Sequence, residues 1–249
     1  MNSLELLIDF HISAQRQGPG STEATLRALE AIPLDRNAPL HLADIGCGTG
    51  AQTIDLAKNT KWQIDAIDLF PPFLEALRKR SKQAGFAHRI NPRAESMSEL
   101  SAKPESWDII WSEGAIYNMG FEPGVRYWHS FLKPNGCLVV SELSWLTPTR
   151  PTEIENHWNQ EYAYMADIPT KIAQLQDAGY HLLTHFTLPS DDWETNYYKP
   201  MEDRFDAFLS RHGHASEAIE IVEAEKHEIA LFRRYKEWVG YVFYLAQRP

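Results

Sequence analysis

The hydrophobic positions follow two periods in the first half of the chain, and each period predicts a different element. Residues 41–45 (HLADI) and 107–113 (WDIIWSE) are short apolar runs, typical of strands that are buried on both faces. Residues 51–59 and 72–85 have helical spacing, and Gly85 is placed to end the second helix. Strands that alternate with helices through short connections predict parallel β-α-β units.

The same patterns extend over the rest of the chain. Further strands are predicted at residues 62–69, 89–96, 137–143, 180–189 and 240–246, and the LKPNG segment at 132–136 is predicted as a turn. Helices are predicted in the first eleven residues and at residues 22–32, 121–132, 152–167, 169–179 and 201–238, the last interrupted around Gly213. We therefore predict an α/β fold: a Rossmann-like, doubly wound, mostly parallel sheet, with a helical insertion before an antiparallel last strand.

Chain length limits the number of domains, and net charge limits the classes of binding partner. The 249 residues contain 43% hydrophobic and 23% charged residues, a composition typical of a globular protein. We expect one domain over residues 1–249, made of a helical arm (1–39), a ligand-binding core (40–146) and a second half with a helical cap (147–249). The formal charge of −10 disfavours a nucleic-acid surface, because phosphate contacts require clustered basic residues.

Cysteine content and the first residues indicate the compartment. Cys47 and Cys137 lie in apolar segments and are expected as free, buried thiols. Glu5 and Asp9 interrupt the apolar run that a signal peptide would need, and no apolar run approaches the ~20 residues that span a bilayer. We expect a cytoplasmic protein without a membrane partner, and a homodimer is left open.

A glycine-rich turn follows the strand at residues 41–45 and precedes a helix. Gly46, Gly48 and Gly50 would let the backbone turn sharply and approach a ligand, which a Cβ atom would obstruct. Asp68 closes the next strand about 20 residues later, where its carboxylate can accept hydrogen bonds from ribose hydroxyls. The combination predicts a binding site for a nucleoside-containing cofactor, with Cys47 inside the loop.

Two cofactors fit this arrangement, a nicotinamide dinucleotide and S-adenosylmethionine. Asp44, just before the loop, would repel a pyrophosphate but would attract the ammonium group of a methionine moiety. The chain also contains no Tyr-x-x-x-Lys pair, which the common short-chain reductases need. S-adenosylmethionine is therefore the favoured cofactor.

The segment from Leu42 to Leu143 resembles the class I S-adenosylmethionine-dependent methyltransferases. DIGCGTG is similar to their first motif, DAIDL to the acidic ribose motif, WDIIWSEGA to the fourth-strand motif and LKPNGCLVVSE to the fifth. QRQGPGS, SEGAIYNMGF and GYVFYLA further resemble a bacterial subgroup that acts on small molecules. The resemblance implies a methyl donor site and a small-molecule acceptor.

The resemblance also implies contacts for both ends of the donor. Arg16 or Gln17, in the loop that would fold over the donor, is placed near its methionine end, and Leu69 or Phe70 would cover the adenine. The family usually has an Asp beside the adenine amine, where this chain has Ser96. Glu95 could take that contact instead, and Met97 would pack on the adenine face.

Two residues are candidates for the chemistry. Glu113 ends a buried strand at the edge where open α/β sheets bind ligands; it could contact the charged end of the donor, act as a general base, or cap the turn that follows. Tyr117, on the same loop, could line the transfer channel.

No His or Cys spacing of a metal site occurs in the sequence, so no metal is expected. The sequence thus predicts a methyltransferase that moves a methyl group to an O, N or C nucleophile of a small molecule. A non-catalytic S-adenosylmethionine-binding regulator and, behind it, a nicotinamide oxidoreductase are the alternatives.

Overall fold

In the computed structural model, which describes residues 2–249, the strands form one seven-stranded sheet. They are β1 (His41–Ile45), β2 (Gln63–Asp68), β3 (Ile90–Ala94), β4 (Trp107–Glu113), β5 (Leu132–Trp145), β6 (His181–Thr187) and β7 (Val239–Gln247). The order across the sheet is β3-β2-β1-β4-β5-β7-β6, and β7 runs antiparallel to both of its neighbours while the other pairings are parallel. The predicted fold class is confirmed.

Helices cover both faces of the sheet. They are α1 (Ser3–Ile12), α2 (Thr22–Ala31), α3 (Ala51–Asn59), α4 (Pro71–Gln83), α5 (Phe121–Trp128), α6 (Thr152–Glu161), α7 (Ile168–Asp177), α8 (Ser190–Trp193), α9 (Lys199–Glu202), α10 (Phe205–Arg211) and α11 (Ser216–Tyr235). A π-helical turn, Glu194–Tyr198, joins α8 to α9. As predicted, the segment between β6 and β7 is helical, and it breaks near Gly213.

Local chemistry explains several helix boundaries. Ser21 precedes α2 and its hydroxyl accepts a hydrogen bond from the Ala24 N–H; Asp167 caps α7 in the same way through Thr170. Gly85 and Gly179 follow the ends of α4 and α7 with φ of 83° and 93°. This left-handed conformation is one that glycine adopts without a Cβ penalty.

The hydrophobic core lies in two layers, one on each side of the sheet. Alternate residues of β1 point to opposite layers, with Leu42 in one and Ala43 in the other. Phe10 of α1 packs in the first layer, and Trp128 of α5 packs in the second. Burial on both faces explains why the central strands read as nearly continuous apolar runs.

The prediction of a turn at residues 132–136 is wrong, because these residues form the start of β5. Leu132 pairs with Trp107 of β4, and the Asn135 N–H donates to the Arg248 carbonyl. Asn135 has a φ of 64°, so the segment keeps a turn-like residue inside the strand. The contacts with residues that follow β7 hold it extended, and no local pattern records those contacts.

Two predicted helices end earlier than expected. Residues 129–132 do not continue α5, because His129–Phe131 form a 3-10 turn before β5 begins. Residues 162–167 do not continue α6, because the Trp145 N–H donates to the Ala166 carbonyl and this stretch runs beside the end of β5. In both places the sheet takes the backbone groups that a longer helix would use.

The sheet order places a ligand site between two strands. β1 and β4 are adjacent, and the connections from them leave in opposite directions, toward β2 and toward β5. A crevice therefore opens beyond their carboxyl ends, at Gly46 and Glu113.

Candidate active site

A cavity of about 700 Å³ lies at this crevice. One wall consists of the loop after β1, the end of β2 and the loop after β4, and the opposite wall consists of α1, Tyr197 and α11. The volume lies in the range typical of small-molecule sites. Most of the residues predicted to bind the donor line it: Arg16, Gln17, Gly46, Cys47, Gly48, Asp68, Leu69, Ser96, Met97 and Glu113.

Two glycines of the loop after β1 have positive φ and very close neighbours. At Gly46, with a φ of 74°, an added Cβ would lie 2.3 Å from the Cβ of Ala115. At Gly48, with a φ of 55°, it would lie 2.4 Å from the Gln17 Oε1. Both residues also line the cavity, so the backbone there can approach a bound molecule directly.

Gly50 and Asp44 are not brought to the cavity wall. A Cβ at Gly50 would lie 2.1 Å from the Leu77 Cδ1, so this glycine serves the packing of α3 against α4. Asp44 is fully buried, where its carboxylate accepts hydrogen bonds from Thr53 and Gln52. Burial raises the pKa of Asp44 to about 7 in spite of these hydrogen bonds. Contact of either residue with the donor remains a prediction.

Asp68 is fixed at the cavity wall by the backbone. Its Oδ2 accepts from the Gly48 N–H at 2.8 Å, and its Oδ1 accepts from the Phe70 N–H at 2.9 Å. Burial raises the pKa of Asp68, against the effect of these N–H donors. Each oxygen retains acceptor capacity, which suits a pair of ribose hydroxyls.

Leu69, Ser96 and Met97 line the end of the cavity that lies next to Asp68. Leu69 is 59% exposed, which leaves an apolar face open to a ligand. The Ser96 hydroxyl lies 2.8 Å from that of Ser98. Glu95 also lines the cavity, but its carboxylate is held by Arg93 and Ser101. Ser96 is therefore the better placed of the two for an adenine contact.

Arg16 and Glu113 form a buried ion pair at the wall. The Arg16 Nη1 lies 3.2 Å from the Glu113 Oε2, and the Glu113 side chain is 4% exposed. The Glu113 Oε1 accepts from the Trp111 Nε1 at 2.9 Å and from the Thr25 hydroxyl at 2.8 Å. Three donors thus occupy both carboxylate oxygens and fix the side chain in place. The geometry thus favours a positioning role for Glu113 over that of a base.

Gln17 fastens the segment after α1 to the glycine loop. Its Oε1 accepts from the Thr49 N–H at 2.8 Å, and its Nε2 donates to the carbonyls of His11 and Ala14 at 3.2 Å. The predicted position over the loop is thus observed, although the side chain is committed to protein partners.

Tyr117 lies on the loop after β4 and is 45% exposed in the cavity. Its ring meets that of Tyr162 edge to face, with 6.4 Å between centroids. Asn118 lines the cavity beside it and donates its amide to the Ala115 carbonyl. Both side chains face the space that a methyl acceptor would use.

The sequence analysis missed the residues of the opposite wall. These are Leu4, Leu7, Ile8, His11, Tyr197, Glu225 and Glu228. The charge-rich pattern around Glu225 is typical of a solvent-exposed helix face, so it carried no sign of burial. The three-residue spacing of the two glutamates does place them on one side of α11, which is the one available signal.

The described residues show neither a membrane-spanning helix nor a cluster of metal ligands. Within residues 2–249, no helix has the length and apolarity required to cross a membrane. In that same stretch, no three His, Cys, Asp or Glu side chains are grouped so as to hold a metal ion. Cys47 and Cys137 are free and buried.

Comparison with known proteins identifies a domain in the chain. Residues 42–136 match the family model described as a methyltransferase domain. The chain is 23% identical over 248 residues to 27-O-demethylrifamycin SV methyltransferase of Amycolatopsis mediterranei, covering 92% of this chain and 84% of that protein. It is 22% identical over 205 residues to sterol 24-C-methyltransferase of Candida albicans, covering 77% of this chain and 54% of the relative. The chain thus spans about half the length of the sterol enzyme.

A solved structure with the same fold covers the whole molecule. A methyltransferase from Geobacter sulfurreducens, in complex with S-adenosyl-L-homocysteine, superposes with a TM-score of 0.85 at 15% identity, covering 98% of each chain. Residues 42–136 therefore form a methyltransferase domain, and the relatives agree with the predicted class of S-adenosylmethionine-dependent methyltransferases. The solved structure confirms the Rossmann-like fold.

Proposed function

We propose that this protein moves a methyl group from S-adenosylmethionine to an O, N or C nucleophile of a small molecule. The observation that carries the proposal is the shape of the cavity. Its wall of Gly46, Asp68 and Met97 has the features of a donor site, and it continues without a barrier to a second wall of α1 and α11. A donor and an acceptor can therefore lie side by side in one cavity.

The residues present fit the donor. The loop of Gly46 and Gly48 would receive its methionine part where no Cβ intrudes. Asp68 would accept from the ribose hydroxyls, and Met97 and Leu69 would flank the adenine. Arg16 also lines the cavity, and its guanidinium, paired with Glu113 at 3.2 Å and with Asp55 at 3.5 Å, would lie near the donor's carboxylate.

When bound, S-adenosylmethionine supplies an electrophilic methyl carbon on a positively charged sulfur. An acceptor atom held in line with that carbon would receive the methyl group, and the electron pair of the broken bond would remain on sulfur. The protein contributes position and the exclusion of water: Gln17 and Arg16 hold the segment after α1 over the glycine loop, and Tyr117 and Asn118 border the path of the acceptor. Cytoplasmic location and a homodimer stay predictions of the sequence.

Binding of the product S-adenosylhomocysteine tests the donor site. We expect Asp68→Asn to weaken binding about tenfold or more, because charged acceptors of ribose hydroxyls are lost. Asp65→Asn is the matched control, since Asp65 lies on the same strand and bonds Arg93 and Trp107 away from the cavity. Titration calorimetry on both variants measures the difference.

Transfer of an isotopically labelled methyl group to a broad set of small molecules tests the reaction. Labelled products support the proposal. Product binding without transfer to any acceptor would favour the non-catalytic regulator, and binding of a nicotinamide dinucleotide in place of S-adenosylhomocysteine would overturn the donor assignment.

A further inference from the structure

The wall of the cavity that faces the donor loop carries a group of titratable side chains. Glu225 and Glu228 lie one turn apart on α11, and both line the cavity. His11 of α1 lies beside them, with its Nε2 3.7 Å from the Glu225 Oε1. Tyr197, in the π-helical turn, completes the group. None of these four side chains is used in the donor site described above.

Positive charge is scarce in this group. Burial lowers the pKa of His11 to about 4, so its imidazole is neutral at pH 7. The Arg204 guanidinium also faces the group, but within residues 2–249 it forms no ion pair with either carboxylate. It donates instead to the Pro200 carbonyl at 2.7 Å. The neighbour of Glu228 is a neutral donor, the Tyr198 hydroxyl at 3.0 Å.

The pKa values of the two glutamates reflect this lack of positive charge. Burial, together with the neighbouring Glu228 carboxylate, raises the pKa of Glu225 to about 8. Burial also raises the pKa of Glu228, with Glu161 adding to the effect. Two adjacent buried carboxyls without a cation in contact would be stabilised by a positively charged partner.

Polar groups without partners lie in the same cavity. The Nδ1 atom of His11 is buried and has no hydrogen-bond partner within residues 2–249. Arg16, nine-tenths buried on the facing wall, makes no hydrogen bond through its Nη2 within residues 2–249, where the Asp55 Oδ2 lies 3.5 Å away. Groups of this kind are usually satisfied in a folded protein, so they indicate that a polar ligand completes the site.

The remainder of this wall is apolar. Leu4, Leu7 and Ile8 of α1 line the cavity beside His11. Leu4 is 52% exposed and Leu7 is 38% exposed, so α1 presents hydrocarbon to the space that the acidic group borders. An occupant that matches both features has an apolar body and one cationic or donor-rich end.

We propose that the methyl acceptor is a primary or secondary amine with an apolar body, bound with its nitrogen toward Glu225 and Glu228. This inference rests on the proposed methyl transfer and names the class of acceptor for that same site. An acceptor with a carboxylate or a phosphate at this end would meet two carboxyls of like charge, which disfavours it.

The two carboxyls also account for the proton that such a transfer must remove. The amine arrives as an ammonium ion and gives one proton to an ionised carboxylate, which frees the nitrogen lone pair. The lone pair forms the new C–N bond, the bond from the methyl carbon to sulfur breaks, and its electron pair goes to sulfur. The products are a methylated ammonium ion, neutral S-adenosylhomocysteine and a protonated carboxyl that later releases its proton to water.

Three probes of equal chain length test the acceptor class on the protein saturated with S-adenosylhomocysteine. We expect hexylamine to bind about tenfold or more tightly than hexanol, and hexanoate to bind least. Calorimetry measures all three. Equal affinities, or a preference for hexanoate, would overturn the inference while leaving the donor site intact.

Variants locate the amine at the acidic group. Glu225→Gln and Glu228→Gln should each lose about tenfold in hexylamine affinity with unchanged S-adenosylhomocysteine affinity. Glu223→Gln is the control, because Glu223 is exposed on another face of α11 and pairs with Lys226. Unchanged hexylamine binding in both cavity variants would overturn the assignment; loss of S-adenosylhomocysteine binding in the unaltered protein would instead count against the proposed function.

A measurement on the unaltered protein removes any dependence on how well the variants fold. A bound ammonium ion lowers the pKa of Glu225, so hexylamine binding at pH 7 should release up to one proton. Calorimetry in buffers of different ionisation enthalpy measures this number. Binding without proton release would contradict contact between the amine and this carboxyl.

Discussion

Three glycines of one loop share a positive φ but meet different neighbours. Gly46 faces Ala115, Gly48 faces Gln17, and Gly50 faces Leu77 at the packing surface of α4. The first two also line the cavity, whereas the third lets two helices approach. The spacing of the glycines predicts the loop correctly, but not which of them serves binding and which serves packing.

Replacement of Gly46 separates these effects. We expect Gly46→Ala to abolish measurable S-adenosylhomocysteine binding, because its methyl would meet Ala115 at 2.3 Å and displace the loop. Gly85→Ala is the control: Gly85 has a similar φ of 83° but no atom within 4 Å of the added Cβ. The control should cost about 1 kcal/mol of stability from backbone strain alone and keep full binding. Equal binding losses in both variants would contradict a role for close approach.

At the scale of single residues, the sequence predicts the donor wall of the cavity (Gly46, Asp68 and Met97) better than the acceptor wall (α1, Tyr197 and α11). Asp68 and Met97 follow recognisable strand ends, and both line the cavity. Asp44 has the expected position in the chain, but its carboxylate is turned under the loop to Thr53 and Gln52. Side-chain direction at that point depends on α3 packing, which no residue spacing records.

Among the elements, α1 lines the cavity and is attached to α10 by side-chain contacts. A single carboxylate oxygen of Asp9 accepts from the Arg211 Nε and Nη2 at 3.0 and 2.7 Å, and lies 2.8 Å from the His212 Nε2. Phe10 packs between Phe205 and Phe208. These contacts hold the apolar acceptor wall against α10.

Asp9→Asn tests this attachment. Loss of the Asp9 charge should lower the free energy of unfolding by at most ~1 kcal/mol, because Asp9 and Arg211 are partly exposed. It should nevertheless increase amide hydrogen exchange across Ser3–Ile12 several-fold. S-adenosylhomocysteine affinity should not change, since Asp9 does not line the cavity. Glu122→Gln, in an exposed pair with Arg126 on α5, is the control. Unaltered exchange in α1 would mean that Phe10 alone fixes the helix.

Element prediction succeeds where the pattern is local and fails where distant chain segments compete. The bounds of α3 and β4 agree with the sequence pattern to the residue. β5 begins five residues earlier than predicted, because Arg248 and Trp107 supply partners for Asn135 and Leu132. Such partners lie far along the chain, so the turn residues in LKPNG give a misleading local signal.

The molecule as a whole buries several acids whose ionisation opposes folding at neutral pH. Asp44 and Glu142 both have a pKa raised to about 7 by burial, and Glu225 to about 8. Glu142 lies 3.7 Å from the Lys171 ammonium, which is itself fully buried and whose pKa burial lowers to about 8. A raised acid pKa means that the folded state holds a proton which the unfolded chain releases.

Stability without ligand should therefore fall as pH rises from about 4 to about 8. The pKa of an aspartate is about 4 in the unfolded chain, and that of Asp44 is about 7 in the folded protein. Between these values, Asp44 lowers the free energy of unfolding as pH rises. Asp44→Asn should flatten this part of the curve by up to ~1.4 kcal/mol per pH unit. Denaturant unfolding at a series of pH values measures it.

Asp167→Asn provides the contrast, because the hydrogen bonds from Thr170 lower the pKa of Asp167. Removal of the Asp167 carboxylate should change the free energy of unfolding below about pH 4 and leave it unaltered near neutral pH. A neutral slope that is the same in the Asp44 variant and in the unaltered protein would show that Asp44 does not hold a proton in the folded state.

The position of β7 between β5 and β6 sets the order in which the chain can complete its sheet. Within residues 2–249, β6 pairs with β7 and with no other strand, yet it is synthesised before α8 through α11. During translation β6 therefore emerges with both edges unpaired and waits for the last strand. Chains stalled before Val239 would keep that edge exposed, which makes incomplete chains of this protein more prone to aggregate than finished ones.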